Sequence, residues 1–109
     1  MLEPIFGNGT AEKVLLYVVA HRQAYARELA QAFALPVSVV QKQVARLERG
    51  NVLASRLVGR TRVFELNPSY AFARELRALL ERALDFVPPD ERGPYRPKRV
   101  RPRATGKPL

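Results

Sequence analysis

At Gly50-Asn51 the apolar residues stop recurring every three to four positions and begin to alternate. Before that point Val40, Val44 and Leu47 fall at i, i+4 and i+7, one face of an α-helix over residues 37–49. After it, residues 52–57 and 61–66 are rich in Val, Leu, Thr and Phe on either side of Gly59, the pattern of a β-hairpin. Gly and Asn are the residue types most tolerant of positive φ, so the pair suits the end of a helix. The expected class is mainly α with one small hairpin, an α+β chain.

Three more helices are expected around this switch. Asn8 caps the first, with Val14, Leu15, Val18 and Val19 on its buried stripe and an end near His21-Arg22. A short second helix covers residues 26–33 and buries Leu29, Ala30 and Phe33, and Leu35-Pro36 then breaks the chain. Asn67-Pro68 opens a fourth over residues 69–86, with Phe72, Leu76, Leu79, Leu80 and Ala83 along one side. Tyr17, Tyr25, Phe33 and Phe64 are expected in or beside the core. His21 is expected at a solvated helix end, near the helix dipole.

Residues 88–109 differ in kind. They hold six of the nine prolines and seven basic residues against two acidic ones, Asp90 and Glu91. Few apolar side chains remain to offset the entropy of ordering, so a basic, extended tail is expected to follow a folded domain over residues 1–87. The whole chain of 109 residues carries 19 Lys and Arg against 10 Asp and Glu, a formal charge of +9. That excess calls for a polyanionic partner, nucleic acid before an acidic membrane. Cys is absent and His21 is the only His, which excludes thiolate chemistry and leaves no metal-ligand set. No nucleophile–base pair or Gly-rich phosphate loop can be identified, so neither a catalytic site nor a cofactor is expected. No apolar run spans a bilayer and no signal peptide is recognisable; the expected location is the cytoplasm, on the nucleoid.

A short helix, a brief break, a second helix ending in a left-handed turn and then a basic hairpin is the winged helix-turn-helix order. With Val40, Val44 and Leu47 fastened to the core, the outer face of helix 37–49 carries Ser38, Val39, Gln41, Lys42, Gln43, Ala45 and Arg46, and no acid before Glu48. Gln can pair with adenine, Lys can reach guanine acceptors and Val39 offers a methyl surface to thymine. In the wing, residues 52–66, Arg56, Arg60 and Arg62 surround Gly59, suited to phosphates or a narrow minor groove.

The stretches IFGNGTAEKVLLYVVAH, YARELAQAF, VQKQVARLERGNVL, VGRTRVFELNPSY and ELRALLERA resemble the winged-helix domains of ArsR- and MarR-like bacterial regulators, in particular those associated with nucleotidyltransferases. The resemblance covers about residues 5–84. It implies a homodimeric transcription regulator, a repressor, whose third helix reads the major groove of double-stranded DNA. Ser38, Val39, Gln41, Lys42 and Arg46 match the positions that face bases and phosphates, Arg27 the Arg at the start of the second helix, and Arg60 the wing tip. Pro36 and Ala26 stand where Ser or Thr caps are usual, and Asn51 where Gly is usual. The Cys and His ligands of metal-sensing relatives and the Gly-Ser and paired-Asp signature of the nucleotidyltransferases are missing.

The stripe Phe72, Leu76, Leu79, Leu80 and Ala83 is expected to form a dimer seam, since a lone recognition helix contacts few base pairs. In the tail, KRVRPR at 98–103 resembles an AT-hook, but Val100 replaces the Gly that lies deep in the groove. Lys98, Arg99, Arg101 and Arg103 are therefore expected to contact phosphates without selecting sequence. The alternative reading is a winged-helix protein-interaction adaptor whose basic tail recruits nucleic acid nonspecifically.

Overall fold

The structure, a computed structural model, describes residues 1–97. Its elements in chain order are α1 (Glu3–Phe6), α2 (Gly9–His21), β1 (Ala24–Tyr25), α3 (Ala26–Phe33), α4 (Val37–Arg49), β2 (Leu53–Val58), β3 (Thr61–Leu66) and α5 (Ala73–Leu84). Two 3₁₀ turns follow, at Pro89–Glu91 and Gly93–Tyr95. The strands form one antiparallel sheet in the order β1-β3-β2, so the described residues make a small α+β globule.

α2 is its axis. The Asn8 side chain accepts the Ala11 N–H at 2.7 Å, satisfying one of the donors a helix start leaves free. α1, α4, α5 and β3 all pack against α2. Its apolar stripe is therefore wider than the four expected residues, running from Ala11 to Val19 with only Lys13 exposed. Glu12 is buried there, and its carboxylate accepts the Leu2 N–H at 2.9 Å.

The start of α3 and the turn from α3 to α4 are set by three local devices. Glu28 reaches back to accept the Tyr25 N–H at 3.3 Å, the carboxylate half of a capping box. Its other oxygen accepts the Tyr17 hydroxyl at 2.6 Å; burial and this carboxylate push the Tyr17 phenol well above its ordinary range. Ala34 ends α3 in the left-handed region at φ 54°, and Pro36, whose carbonyl accepts the Val39 and Val40 N–H groups, starts α4. At the far end Asn51, not Gly50, takes the positive φ (65°), and the Val52 N–H returns to the Leu47 carbonyl at 2.9 Å.

In the hairpin, Val58 pairs with Thr61 and leaves Gly59-Arg60 as a two-residue turn. Only Gly59 has positive φ (64°), the signature of a type II′ turn. Leu15, Leu16, Leu29, Leu53, Leu80, Val14, Val18 and Val40 are the largest fully buried side chains. Each contributes about 1.5–3 kcal/mol of burial.

Four features depart from the sequence expectations. α1 and β1 were not foreseen, being too short for a periodic signal. The fourth helix begins at Ala73 rather than residue 69, because Asn67 holds residues 67–70 in a turn: its side chain accepts the Ser69 N–H at 3.0 Å and its carbonyl the Tyr70 N–H at 3.1 Å. On α5, Leu80 and Ala83 are buried within this chain's own core and are unavailable to a dimer seam, and Leu76 is half-buried against it. Phe72 (62% exposed) and Leu79 (38% exposed) do face outward.

The fourth departure concerns the tail. Expected to run free from residue 88, the chain stays on the domain through Tyr95. Val87 is buried, the two 3₁₀ turns follow, and the second lies against α2. Prolines that end a helix also preset φ for such turns. His21, expected to be solvated, donates from Nε2 to the Pro94 carbonyl at 2.8 Å. The Tyr95 ring sits 5.6 Å from that of Phe33. Lys98, Arg99, Arg101 and Arg103 lie outside the described residues. Among the described residues no helix is long and apolar enough to cross a membrane.

Candidate nucleic-acid interface

α4 carries its buried face toward α2 and α3 through Val40, Val44 and Leu47, as the i, i+4, i+7 spacing requires. The opposite side presents Ser38, Val39, Gln41 and Lys42, all exposed. Val39, at 38% exposure, offers a small apolar surface between the polar groups.

Beside this face lies an open groove of about 600 Å³ between the start of α3, α4 and β3. Arg27 from α3, Gln41 from α4, Arg60 from the hairpin turn and Arg62 from β3 all line it, so residues 35 positions apart in the chain share one surface. Val44, Ala45 and Phe64 form part of its lining. Glu48 is also there, and its carboxylate accepts the Ser55 hydroxyl at 2.5 Å. Ser55 Oγ in turn accepts from Arg62 Nη1 at 2.9 Å, which holds that guanidinium along the α4 side of the sheet. Among the described residues, none of Arg27, Lys42, Arg60 and Arg62 lies within ion-pair distance of a carboxylate. Their charge is thus not neutralised by an ion pair within the described residues, in a place where a concave surface raises the local potential.

Three expected contact residues are differently placed. Gln43 is half-buried, and its Oε1 accepts from Asn8 Nδ2 and Arg46 Nε, each at 3.1 Å. Arg46 also donates from Nη2 to the Phe6 carbonyl at 2.7 Å. These two side chains tie α4 to the α1–α2 turn, where Gly7 at φ 100° brings the backbone close to the guanidinium. Arg56 stands on the other face of the sheet. It is paired with Val63, which is paired with Tyr25, and paired residues share a face. There its Nη2 donates to Gln23 Oε1 at 3.0 Å. Arg62 belongs to the face of Ser55 and Phe64, so the three hairpin arginines diverge rather than act as one patch.

The sequence reading missed Thr61 and Tyr25, which also line the groove. Thr61 sits next to the turn that places Arg60 and carried no charge signal. Tyr25, expected in or beside the core, is 40% exposed because β1 is an edge strand. A short β segment before the second helix is the signal that would have placed it.

No protein-family model matches the chain, and no curated protein matches it either. Among solved structures, the crystal structure of the YusO protein from Bacillus subtilis is similar to it, with a TM-score of 0.57. The two are 22% identical over 81% of this chain and 69% of that one. At that identity the likeness is one of fold: the chain shares a small α+β architecture with YusO.

Proposed function

We propose that the chain is a winged helix-turn-helix regulator that binds double-stranded DNA with sequence preference, acting as a homodimeric repressor. In this reading α3 and α4 are the helix-turn-helix, α4 enters the major groove, and the hairpin β2–β3 is a wing on the flanking backbone or minor groove. Ser38, Val39, Gln41 and Lys42 face base edges, while Arg27, Arg60 and Arg62 bind phosphates or the groove wall. No catalytic step and no cofactor belong to it. The observation that carries the reading is the convergence of Arg27, Gln41, Arg60 and Arg62 on one groove beside the polar face of α4.

The dimer in this reading is made by the outer side of α5. Leu79 is exposed on α5, and Phe72 and Phe86, also exposed, flank the helix just before its start and just after its end. A second copy packed there would place two α4 helices on one duplex. The same stripe also favours the adaptor reading, in which it receives another protein.

Selection of random duplex DNA by the purified protein at about 150 mM salt, near physiological screening, tests the two. Enrichment of an inverted repeat, relaxed by Gln41→Ala, is expected. Binding without any enriched sequence would overturn the regulator and leave the adaptor.

A further inference from the structure

The free end of the hairpin is apolar where its surroundings are charged. Leu57 is 60% exposed and Val58 49%, and neither belongs to the core cluster. β1 pairs only with Val63 and Phe64, so residues 57–62 project as a two-stranded tip with no third strand beside them. The two-residue turn at Gly59-Arg60 holds that tip in one shape. Leu57 pairs with Arg62, which puts it on the face of Ser55 and Phe64, toward α4 and one step nearer the tip. Val58 pairs with Thr61 and belongs to the other face. A hairpin that ends in water usually carries charge there, which keeps it soluble and unpaired. This one exposes two branched aliphatic side chains instead.

The rest of the tip is cationic. Residues 55–64 hold Arg56, Arg60 and Arg62 and no acid. Among the described residues none of the three lies within ion-pair distance of a carboxylate. An apolar protein surface seated on Leu57 and Val58 would meet that charge uncompensated. A duplex meets both parts at once, because its minor groove is a sugar-walled slot between two phosphate ridges. The slot is about 6 Å wide, and the two strands of a hairpin stand about 4.8 Å apart before side chains are added. The hairpin therefore does not enter as a body; only side chains at its tip do. Aliphatic ones make no hydrogen bond to base edges and act there by prying a base step apart.

We propose that Leu57 is an apolar wedge. It enters the minor groove next to the major-groove site of α4, partly unstacks one base step and bends the duplex, with Val58 against the groove wall and Arg60 and Arg62 on the flanking phosphates. The proposal rests on the DNA-binding reading above and adds to it a second source of sequence preference. Successive grooves lie half a helical turn apart, so the wedged step falls about five base pairs from the centre of the bases that α4 reads. Pyrimidine–purine steps, TA and CA/TG, open most readily, so one is expected at that place although no side chain hydrogen-bonds to it.

The test is bending of the selected duplex, measured by fluorescence transfer between its ends, with binding to a duplex of altered flanking steps alongside. Wild type should bend the duplex by about 20° or more. Changing the flanking TA or CA steps to stiff AA steps should weaken its binding about five- to tenfold. Leu57→Thr keeps every charge and a β-branched residue suited to the strand. It should remove most of the bend and bind the two duplexes within about twofold of each other. Leu57→Ile retains an aliphatic wedge and should retain both the bend and the step preference. A duplex that stays straight under wild type, or a bend and step preference that survive Leu57→Thr, would overturn the proposal and leave the α4 site standing. A change of oligomeric state with Leu57→Thr would also overturn it, by assigning the tip to a second copy of this chain. Wild type that selects no duplex would sink the DNA-binding reading itself, and the wedge with it.

Discussion

Within six positions of α4 the chain places two pairs of polar side chains that behave oppositely. Gln41 and Lys42 are exposed and make no hydrogen bond to another described side chain, whereas Gln43 and Arg46 are joined to each other, to Asn8 and to the Phe6 carbonyl. Helical geometry explains the split. Successive residues turn by about 100°, so neighbours in sequence look at different surroundings. One pair looks out beside the groove toward β3; the other looks back at the α1–α2 turn. A polar residue on the outer side of a helix is therefore a candidate contact only once its neighbours through space are known. The hairpin repeats the lesson, since Arg60 is at the tip and lines the α4 groove while Arg56, four residues earlier, is held by Gln23 behind the sheet.

The largest effect should come from removing what both pairs depend on. Leu47, buried on the inner face of α4, anchors the helix to the core. Leu47→Ala should lower unfolding free energy by about 2–5 kcal/mol, read from urea titration at constant m. A loss below about 0.5 kcal/mol would mean that packing does not hold α4 in register, and the contrast between its two polar pairs would lose its basis.

The contrast itself is tested by a crossed pair of variants. Gln41→Ala should leave stability within about 0.5 kcal/mol and cost about 1–3 kcal/mol of discrimination between the preferred base pair and others. Arg46→Ala should do the reverse. It loses two hydrogen bonds, both donated by the guanidinium at an exposed site, for about 1 kcal/mol of stability, and keeps base preference. Asn8→Ala removes the α2 cap together with the bond to Gln43 and should cost about 1 kcal/mol without altering which sequence is selected. Should Arg46→Ala relax selectivity while stability holds, the tie seen here would have to open on DNA.

Much of this was readable in one dimension, and the exceptions share a cause. The buried triplet of α4, the hairpin around Gly59 and the break at Leu35-Pro36 are set by period and by residues that restrict φ, which are local properties. The roles of Gln43, Arg46 and Arg56 depend on hydrogen-bond partners 33 to 40 residues away, Asn8, Phe6 and Gln23, and carry no local mark. The segment after α5 departs from expectation for a related reason. Proline and charge suggested a free tail, but one aromatic, Tyr95, meeting Phe33 and the carbonyl of Pro94 meeting His21 suffice to dock it. The stripe of α5 was seen correctly as apolar; which of its members face inward depended on where α2 lies.

The smallest effect concerns the turn that sets α4 against α3, and so sets both polar pairs in place. Ala34 holds φ 54° there, a conformation that costs an L-residue about 1 kcal/mol and glycine almost nothing. Ala34→Gly relieves that strain but also frees the unfolded chain, which offsets about 0.4–1 kcal/mol of the gain. The net change should be a stabilisation of no more than about 0.5 kcal/mol, visible as a small rise in melting temperature. Ala34 is exposed and bonds to its own helix through the backbone, so DNA selectivity should not move. If selectivity fell while stability rose, the strained turn would be keeping Gln41 and Lys42 at the angle the groove requires, and the two sides of α4 would be coupled through their shared hinge rather than independent.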